Sequence, residues 1–366
     1  MRIAIIGHKR IPGREGGIEV VVEELATGMA AKGHEVYVYN RKSKQRKSIK
    51  EYKGVHIITI PTIEKKSTDA IVYSFLASVH ALFGRYDVIH YHALGPSTML
   101  LIPKLFRKKI IVTVHGLNYK TPKWKGVGAK FIQLGEKITA KYADEIIVLS
   151  EAQKQYFLNK YNRKSLYIPN GTVIEDVLEP KLITENWGLK KNKYILFVSR
   201  IVPGKGIEYL VEAYKKIKTD MPLVLAGESN YVDSFYEKLK KEIDEDPRIK
   251  MIGFVSGKTL AELYSNAYLF VFPSEAEGMP MCLLEAMSYN TPCLVSDIKE
   301  NLEVGKEYVQ SFQSMNVDQL IDKLEECIHE KERLFQKKSR DYIIQNYSWI
   351  NVVDETLKCY RGELCQ

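Results

Sequence analysis

Twice along this chain, short runs of β-branched and aromatic residues alternate with segments of helical period. That alternation leaves few folds open. A strand reaches a parallel neighbour only through a crossover, so alternating strands and helices build parallel sheets. In the first series Arg2–Gly7 reads as a buried strand, His8 to Gly17 as a loop, and Ile18–Lys32 as a helix with an apolar stripe at Val21, Val22, Leu25 and Met29. Further strands are expected at His34–Tyr39, Val55–Ile60, Asp87–Tyr91, Ile110–Val114, Glu145–Leu149 and Ser165–Ile168. Helices are expected at Ala70–Phe83, Ser97–Phe106 and Glu151–Asn159, and the lysine-rich stretch Arg41–Lys53 reads as an exposed loop. From Thr172 to Lys193 no period is clear and Pro180 interrupts, which predicts a linker. The second series places strands at Tyr194–Ser199, Leu223–Ala226, Arg248–Ile252, Leu269–Phe272 and Cys293–Val295. Its terminal helices are expected at Asp318–Ile328, Lys331–Gln345 and Ile350–Tyr360. The expectation is an α/β chain of two Rossmann-like, doubly wound domains, residues 1–172 and 194–345, joined by 173–193.

Composition narrows the partners. With 366 residues and 45% apolar content, two full cores are within reach. No apolar run is long enough for a transmembrane helix, and the start, MRIAIIGHKR, lacks the shape of a signal peptide. The five cysteines form no CxxC pair and no metal spacing, so a reduced, cytoplasmic compartment is expected, with no metal and no cofactor. Residues 1–180 carry a net charge of +13 and the rest −4, together the overall +9. The basic half holds Lys42/Lys44/Arg46/Lys47, Arg107/Lys108/Lys109 and Lys120/Lys123/Lys125/Lys130. Half of these read as solvated surface. The sharper reading is contact with anionic lipid headgroups, at roughly 1 kcal/mol per cation. Nucleic acid is not expected, since no recognition motif accompanies the charge.

The chemistry concentrates in Pro273–Ser288, PSEAEGMPMCLLEAMS. A β-rich run leads into an acidic loop, then Gly278-Met279-Pro280-Met281, then a helix from Cys282. Pro280 suits a first helical turn, and the free N–H groups after it favour an anion such as a diphosphate. Glu277 in the loop and Glu285 in the helix are separated by seven residues, so one carboxylate can hold sugar hydroxyls and the other a ribose diol. Cys282 reads as a small packing residue. Arg200 and Lys205 flank the glycine loop RIVPGKG after the first strand of the second series, and two cations there can neutralise a diphosphate without metal. His115 follows the apolar strand IIVTV at its carboxyl end, where open α/β sheets bind ligands. His92 is expected on the acceptor side and His90 in the core. Gly16 and Gly17 permit close backbone approach to an anion, although the loop is not GxGxxG. Asp244-Glu245-Asp246 reads as a solvated acidic turn and not as a metal motif.

The Glu-x7-Glu stretch, set between strand and helix, resembles the nucleotide-sugar site of retaining GT-B glycosyltransferases of family 4. VSRIVPGKGIEYLVEA is similar to that family's phosphate-binding loop. IIGHKRIPGREGGIEVVVEELA, TVHGLNYKTPKWKG, YIPNG and SDIKENLEV resemble a subgroup that includes rhamnosyltransferases of bacterial surface polysaccharides. The resemblance spans nearly the whole chain. It implies two domains facing a cleft, with residues 346–366 crossing back to the first. It implies a catalytic set of His115, Glu277, Arg200 and Lys205. The donor-binding set is Gly16, Gly17, Arg200, Lys205, Glu277, Gly278, Met279, Pro280, Met281, Cys282 and Glu285. Glu277 and His115 lie by the donor sugar, Glu285 by the ribose, and Trp124 shapes the acceptor side. The implied partners are a UDP- or dTDP-linked sugar donor, a lipid-linked saccharide acceptor and the anionic inner face of the cell membrane. One departure stands out: Asp297-Ile298-Lys299-Glu300-Asn301 replaces the family's usual Gly-Gly turn. The alternatives are a nucleotide-sugar epimerase or phosphorylase of the same architecture, a nucleotide-dependent oxidoreductase, and an inactive sugar-binding protein.

Overall fold

A computed structural model describes residues 1–13, 16–44, 47–63, 68–117, 126–229 and 234–364. The chain divides into two compact units, Met1–Gly171 with Trp349–Gln366, and Thr172–Ser348.

Among the described residues the first unit holds eight strands: β1 Arg2–Ile6, β2 Glu35–Arg41, β3 Glu51–Tyr52, β4 Val55–Ile60, β5 Val88–His92, β6 Lys109–Val114, β7 Glu145–Val148 and β8 Leu166–Tyr167. They form one sheet in the order β3-β4-β2-β1-β5-β6-β7-β8. Every pairing is parallel except the β3–β4 hairpin. The β1, β5 and β6 strands are almost wholly buried, as a sheet covered on both faces requires. The short β3 lies inside the stretch expected to be a loop. Lys53 and Gly54, both at positive φ, turn it back onto β4, and two residues are too few to show a period. The helix expected over Ser97–Phe106 is a 3₁₀ turn, Pro96–Leu100, followed by an α-helix, Leu101–Leu105.

The last helix, Trp349–Arg361, packs within this unit against the first helix, Gly17–Ala31. Gly28 allows the contact: a Cβ there would lie 2.7 Å from Val353 Cγ2. Lys32 pairs with Asp354 at 2.8 Å, and the Tyr360 hydroxyl bonds His90 Nδ1 at 2.6 Å beneath the sheet's polar core.

Among the described residues the second unit holds six strands: β9 Ile195–Val198, β10 Leu223–Ala226, β11 Ile249–Gly253, β12 Leu269–Phe272, β13 Cys293–Ser296 and β14 Gln310–Phe312. The order is β11-β10-β9-β12-β13-β14, all parallel. In both units the strand order runs outward one way and then the other. The reversal falls between β1 and β5 in the first and between β9 and β12 in the second. Such switch points open crevices at the carboxyl ends of the strands, where doubly wound sheets bind ligands.

Two expectations in the second half change. Residues 173–193, read as a linker, contain helix Leu182–Trp187 and lie in the second unit. The buried Glu262 carboxylate accepts the N–H groups of Lys181 and Ile183 at 2.9 and 3.2 Å, and so satisfies the start of that helix. The single helix expected over Lys331–Gln345 is two, Lys331–Leu334 and Arg340–Asn346. Ser339 donates to the Met287 carbonyl, and Arg340 N donates to Asn290, which draws the chain down at the break. Strand β14 and helix Lys299–Gly305 were not foreseen.

Candidate functional site

The switch point of the second unit brings two sequence motifs into contact. The loop after β9 carries Arg200 and Lys205; the loop after β12 carries Glu277. Backbone bonds join them: Glu275 N donates to the Gly204 carbonyl at 3.1 Å. Gly206, at φ 68°, has no room for a side chain, since a Cβ would stand 2.0 Å from the Pro273 carbonyl oxygen. Across this junction Lys205 Nζ meets Glu277 Oε1 at 2.5 Å, with the two side chains 16% and 10% exposed. A paired charge so far out of water needs further hydrogen bonds to persist. Ser274 Oγ supplies one, donating to the same Glu277 oxygen at 2.6 Å.

Behind Glu277 stands a relay that sequence reasoning missed. Asn301 Nδ2 donates to Ser296 Oγ at 3.0 Å, and Ser296 Oγ donates to the Ser274 carbonyl at 2.5 Å. Asn301, Ser296 and Ser274 are all fully buried. Asn301 belongs to the segment that replaces the Gly-Gly turn. That segment starts helix Lys299–Gly305 and braces the Glu277 loop from below. Glu300 of the same helix lies close enough that Glu277 adds to the rise in its pKa, after burial.

The helix of the acidic motif is Met281–Ser288, and Pro280 stands just before it at φ −82°, ψ 81°, not in its first turn. Its N-terminus is less open than expected. Met281 N bonds the Met279 carbonyl at 3.0 Å, and Leu283 N and Leu284 N both bond the Pro280 carbonyl at 3.1 Å. Burial pushes the Cys282 thiol up to about 12, in keeping with a packing role. Glu285 Oε2 accepts from the Tyr264 hydroxyl at 2.9 Å, and Tyr264 stacks on Tyr289 at 6.0 Å. Burial and then Glu285 hold that phenol well above its ordinary range. Tyr264 is a further residue that the sequence did not reveal. Arg200 is exposed and its side chain has no partner among the described residues. It stands ready for an anion, while Lys205 is already committed to Glu277.

In the first unit His115 lies at the carboxyl end of β6, partly exposed, beside His92 of β5. His92 Nδ1 and His115 Nε2 are 2.8 Å apart. Burial lowers His115 to about 4, so its imidazole is neutral at pH 7. His90 is fully buried, and so is His92, which therefore does not itself line a surface for an acceptor. Gly16 precedes helix Gly17–Ala31 in extended conformation. A Cβ on Gly16 would meet Glu19 Oε2 at 2.9 Å, and Glu19 Oε1 accepts from Lys9 N at 3.0 Å. The helix start therefore already holds a carboxylate.

Of the basic clusters, Lys108 reaches the Gly84 carbonyl and Lys109 the Tyr360 carbonyl, so both serve the fold. Arg46, Lys120, Lys123, Lys125 and Trp124 lie outside the described residues. The Asp244-Glu245-Asp246 carboxylates pair with Lys240, Lys215 and Arg248. Among the described residues no His/Cys/Asp/Glu group is arranged to hold a metal ion, and no helix is long and apolar enough to cross a membrane.

Two parallel-sheet Rossmann-like domains in one chain, each with chemistry at its switch point, are the GT-B architecture of glycosyltransferases. Within that class, residues 15–176 match the family described as Glycosyltransferase Family 4 and residues 181–348 the family described as Glycosyl transferases group 1. The chain is 25% identical, over 99% of its length and 98% of the relative's, to an uncharacterized glycosyltransferase of Methanocaldococcus jannaschii. It is 25% identical, over 84% of each chain, to the UDP-Gal:alpha-D-GlcNAc-diphosphoundecaprenol alpha-1,3-galactosyltransferase of Escherichia coli. Among solved structures it matches Anabaena HepE in complex with UDP and glucose, with a TM-score of 0.83, 15% identity and coverage of 99% of this chain and 100% of that one.

Proposed function

We propose that this glycosyltransferase moves a sugar from a nucleoside diphosphate sugar, UDP- or dTDP-linked, to a hydroxyl of a lipid-linked saccharide, with retention at the anomeric carbon. The observation that carries the reading is the Lys205–Glu277 pair, closed at 2.5 Å across the switch point of the second unit. Arg200 and Lys205 take the diphosphate, Glu277 the donor sugar and Glu285 the ribose. Gly278, Met279, Pro280, Met281 and Cys282 form the turn along which the donor lies, and Gly16 and Gly17 are assigned to its phosphates on the family resemblance. His115 is assigned to the donor sugar on the family resemblance. The bond from C1 to the phosphate oxygen breaks and the phosphate leaves with the electron pair. The acceptor oxygen bonds C1 on the same face, and its proton passes to a leaving phosphate oxygen. Arg200 and Lys205 stabilise the charge that develops on that phosphate, which makes a metal unnecessary. Glu277 keeps the Lys205 ammonium aimed at the crevice before the donor arrives.

A lipid-linked acceptor fits the Escherichia coli relative, whose name places diphosphoundecaprenol on its acceptor. It also fits the basic half of the chain. The protein is then peripheral at the cytoplasmic face of the membrane and serves surface-polysaccharide or capsule synthesis. Rhamnose is one donor sugar that the subgroup resemblance offers, in a group whose members use different sugars.

Two experiments test parts of this reading. Glu285→Ala should weaken nucleoside diphosphate binding about tenfold or more in titration calorimetry, as expected for loss of charge-assisted bonds to a diol; unchanged affinity removes Glu285 from the ribose. In flotation assays the protein should rise with vesicles containing anionic lipid at low salt and release as salt increases. Absence of binding at low salt ends the membrane assignment.

A further inference from the structure

β5 and β6 are neighbours, and His92 at the end of one stands beside His115 just past the end of the other. Their rings are tilted by 28°, with His92 Nδ1 and His115 Nε2 2.8 Å apart. Burial keeps both imidazoles neutral, so this bond contains one proton, and either ring can supply it. The surroundings decide which. His92 is fully buried, and among the described residues its Nε2 has no hydrogen-bond partner. A proton on Nε2 would be an orphaned buried N–H, whereas a bare lone pair there costs less.

The two histidines nearby do not change this balance. His90 lies against His92, ring centres 4.2 Å apart, with Nδ1 on the Tyr360 hydroxyl and Nε2 on Thr113 Oγ1. His8 has Nε2 3.0 Å from Asn40 Oδ1. Asn40 cannot be turned round, since its Oδ1 also accepts from Ile11 N and its Nδ2 donates to the Ile11 carbonyl. His8 therefore donates from Nε2 and carries a bare lone pair on Nδ1, which likewise lacks a partner. None of the described neighbours offers His92 Nε2 an acceptor, and the proton of His92 belongs on Nδ1.

We propose that His92 is a positioning residue whose Nδ1–H donates to His115 Nε2, which locks His115 in the tautomer with its proton on Nδ1. His115 then presents an N–H donor and no free basic nitrogen. A neutral donor suits a sugar oxygen, and it leaves the acceptor's proton to the departing phosphate. This role rests on the assignment of His115 to the donor sugar; the tautomer itself does not.

The test uses the full chain with ¹⁵N-labelled histidines. Long-range ¹H–¹⁵N correlation at pH 7 reads each ring's tautomer, and His115→Gln identifies the His115 signals by their loss. The expected pattern for His115 is protonated Nδ1 and bare Nε2. His92→Phe should release it toward protonation on Nε2, and His92→Asn, whose amide N–H takes the place of Nδ1–H, should restore the original pattern. In sugar transfer, kcat should fall about tenfold in His92→Phe and recover most of that in His92→Asn. An Nε2–H tautomer of His115 in the wild type overturns the proposal, and so does a pattern that His92→Phe leaves unchanged. If His92→Phe does not fold, the wild-type spectrum decides alone. Full transfer activity in His115→Ala would instead refute the sugar assignment and leave the tautomer standing.

Discussion

Lys205→Ala should reduce sugar transfer by about 10²–10³-fold, the usual loss when one preorganised group that stabilises developing charge is removed. The substitution deletes a cation that has two roles here. It neutralises Glu277 at 2.5 Å in the resting protein, and in the proposed reaction it faces the diphosphate. Without it, Glu277 keeps the Ser274 hydroxyl but loses its counter-charge in a site only 10% exposed. A moderate loss of stability follows, about 1–3 kcal/mol for a largely buried charge left short of partners. The two effects separate experimentally: circular dichroism should show a folded protein at 25 °C while transfer is nearly gone. Lys205→Arg keeps the charge on a wider, planar head and should recover only part of the rate. Transfer by Lys205→Ala at the wild-type rate would remove Lys205 from the diphosphate.

Gly206→Ala should unsettle the same site through the backbone. At φ 68° a side chain costs about 1–2 kcal/mol. The added Cβ would also stand 2.0 Å from the Pro273 carbonyl oxygen, at the seam between the two loops. Backbone there has nowhere to yield without pulling Ser274 and Glu277 with it, so a further 1–3 kcal/mol of overpacking is expected. The sum, about 2–5 kcal/mol, corresponds to a fall of roughly 5–15 °C in the melting temperature of a unit this size. Transfer at a permissive temperature should fall as well, because the cation loop and the acidic loop no longer meet. A melting temperature within a degree of wild type would mean that the seam is slack.

How much of this was legible beforehand follows from the range of the interactions. The alternation of apolar strands and helices is local, and it marked both sheets. The meeting of Lys205 and Glu277 could be foreseen because each sits at the carboxyl end of a strand in one series of alternating elements. Ser296 and Asn301 carried no such mark. Their value lies in a chain of bonds, from Asn301 to Ser296 and from Ser296 to Ser274 22 residues away, and in burial, neither of which a local pattern encodes. Tyr264 was hidden in the same way, since an aromatic residue on a helix reads as core until its hydroxyl is seen on Glu285. The break between Lys331–Leu334 and Arg340–Asn346 is likewise set from outside, by Met287 and Asn290. The two- and three-residue strands β3 and β14 are too short for any period to show. The histidine contacts on β5 and β6 needed the register of the sheet, which pairs His92 with Thr113 and so sets His115 just beyond.

The account depends above all on the second unit binding a nucleoside diphosphate sugar through Lys205, Arg200, Glu277 and Glu285. Thermal-shift titration of the purified chain with UDP, dTDP, GDP and ADP and their sugars tests this most directly. A nucleotide held at 100 times its Kd adds about 2.7 kcal/mol, enough to raise the melting temperature by several degrees. At least one nucleotide should do so in the wild type, and the shift should shrink in Glu285→Ala and Lys205→Ala. If no nucleotide moves the melting temperature, or if the shift is the same size in both variants, the donor site is not where these residues meet.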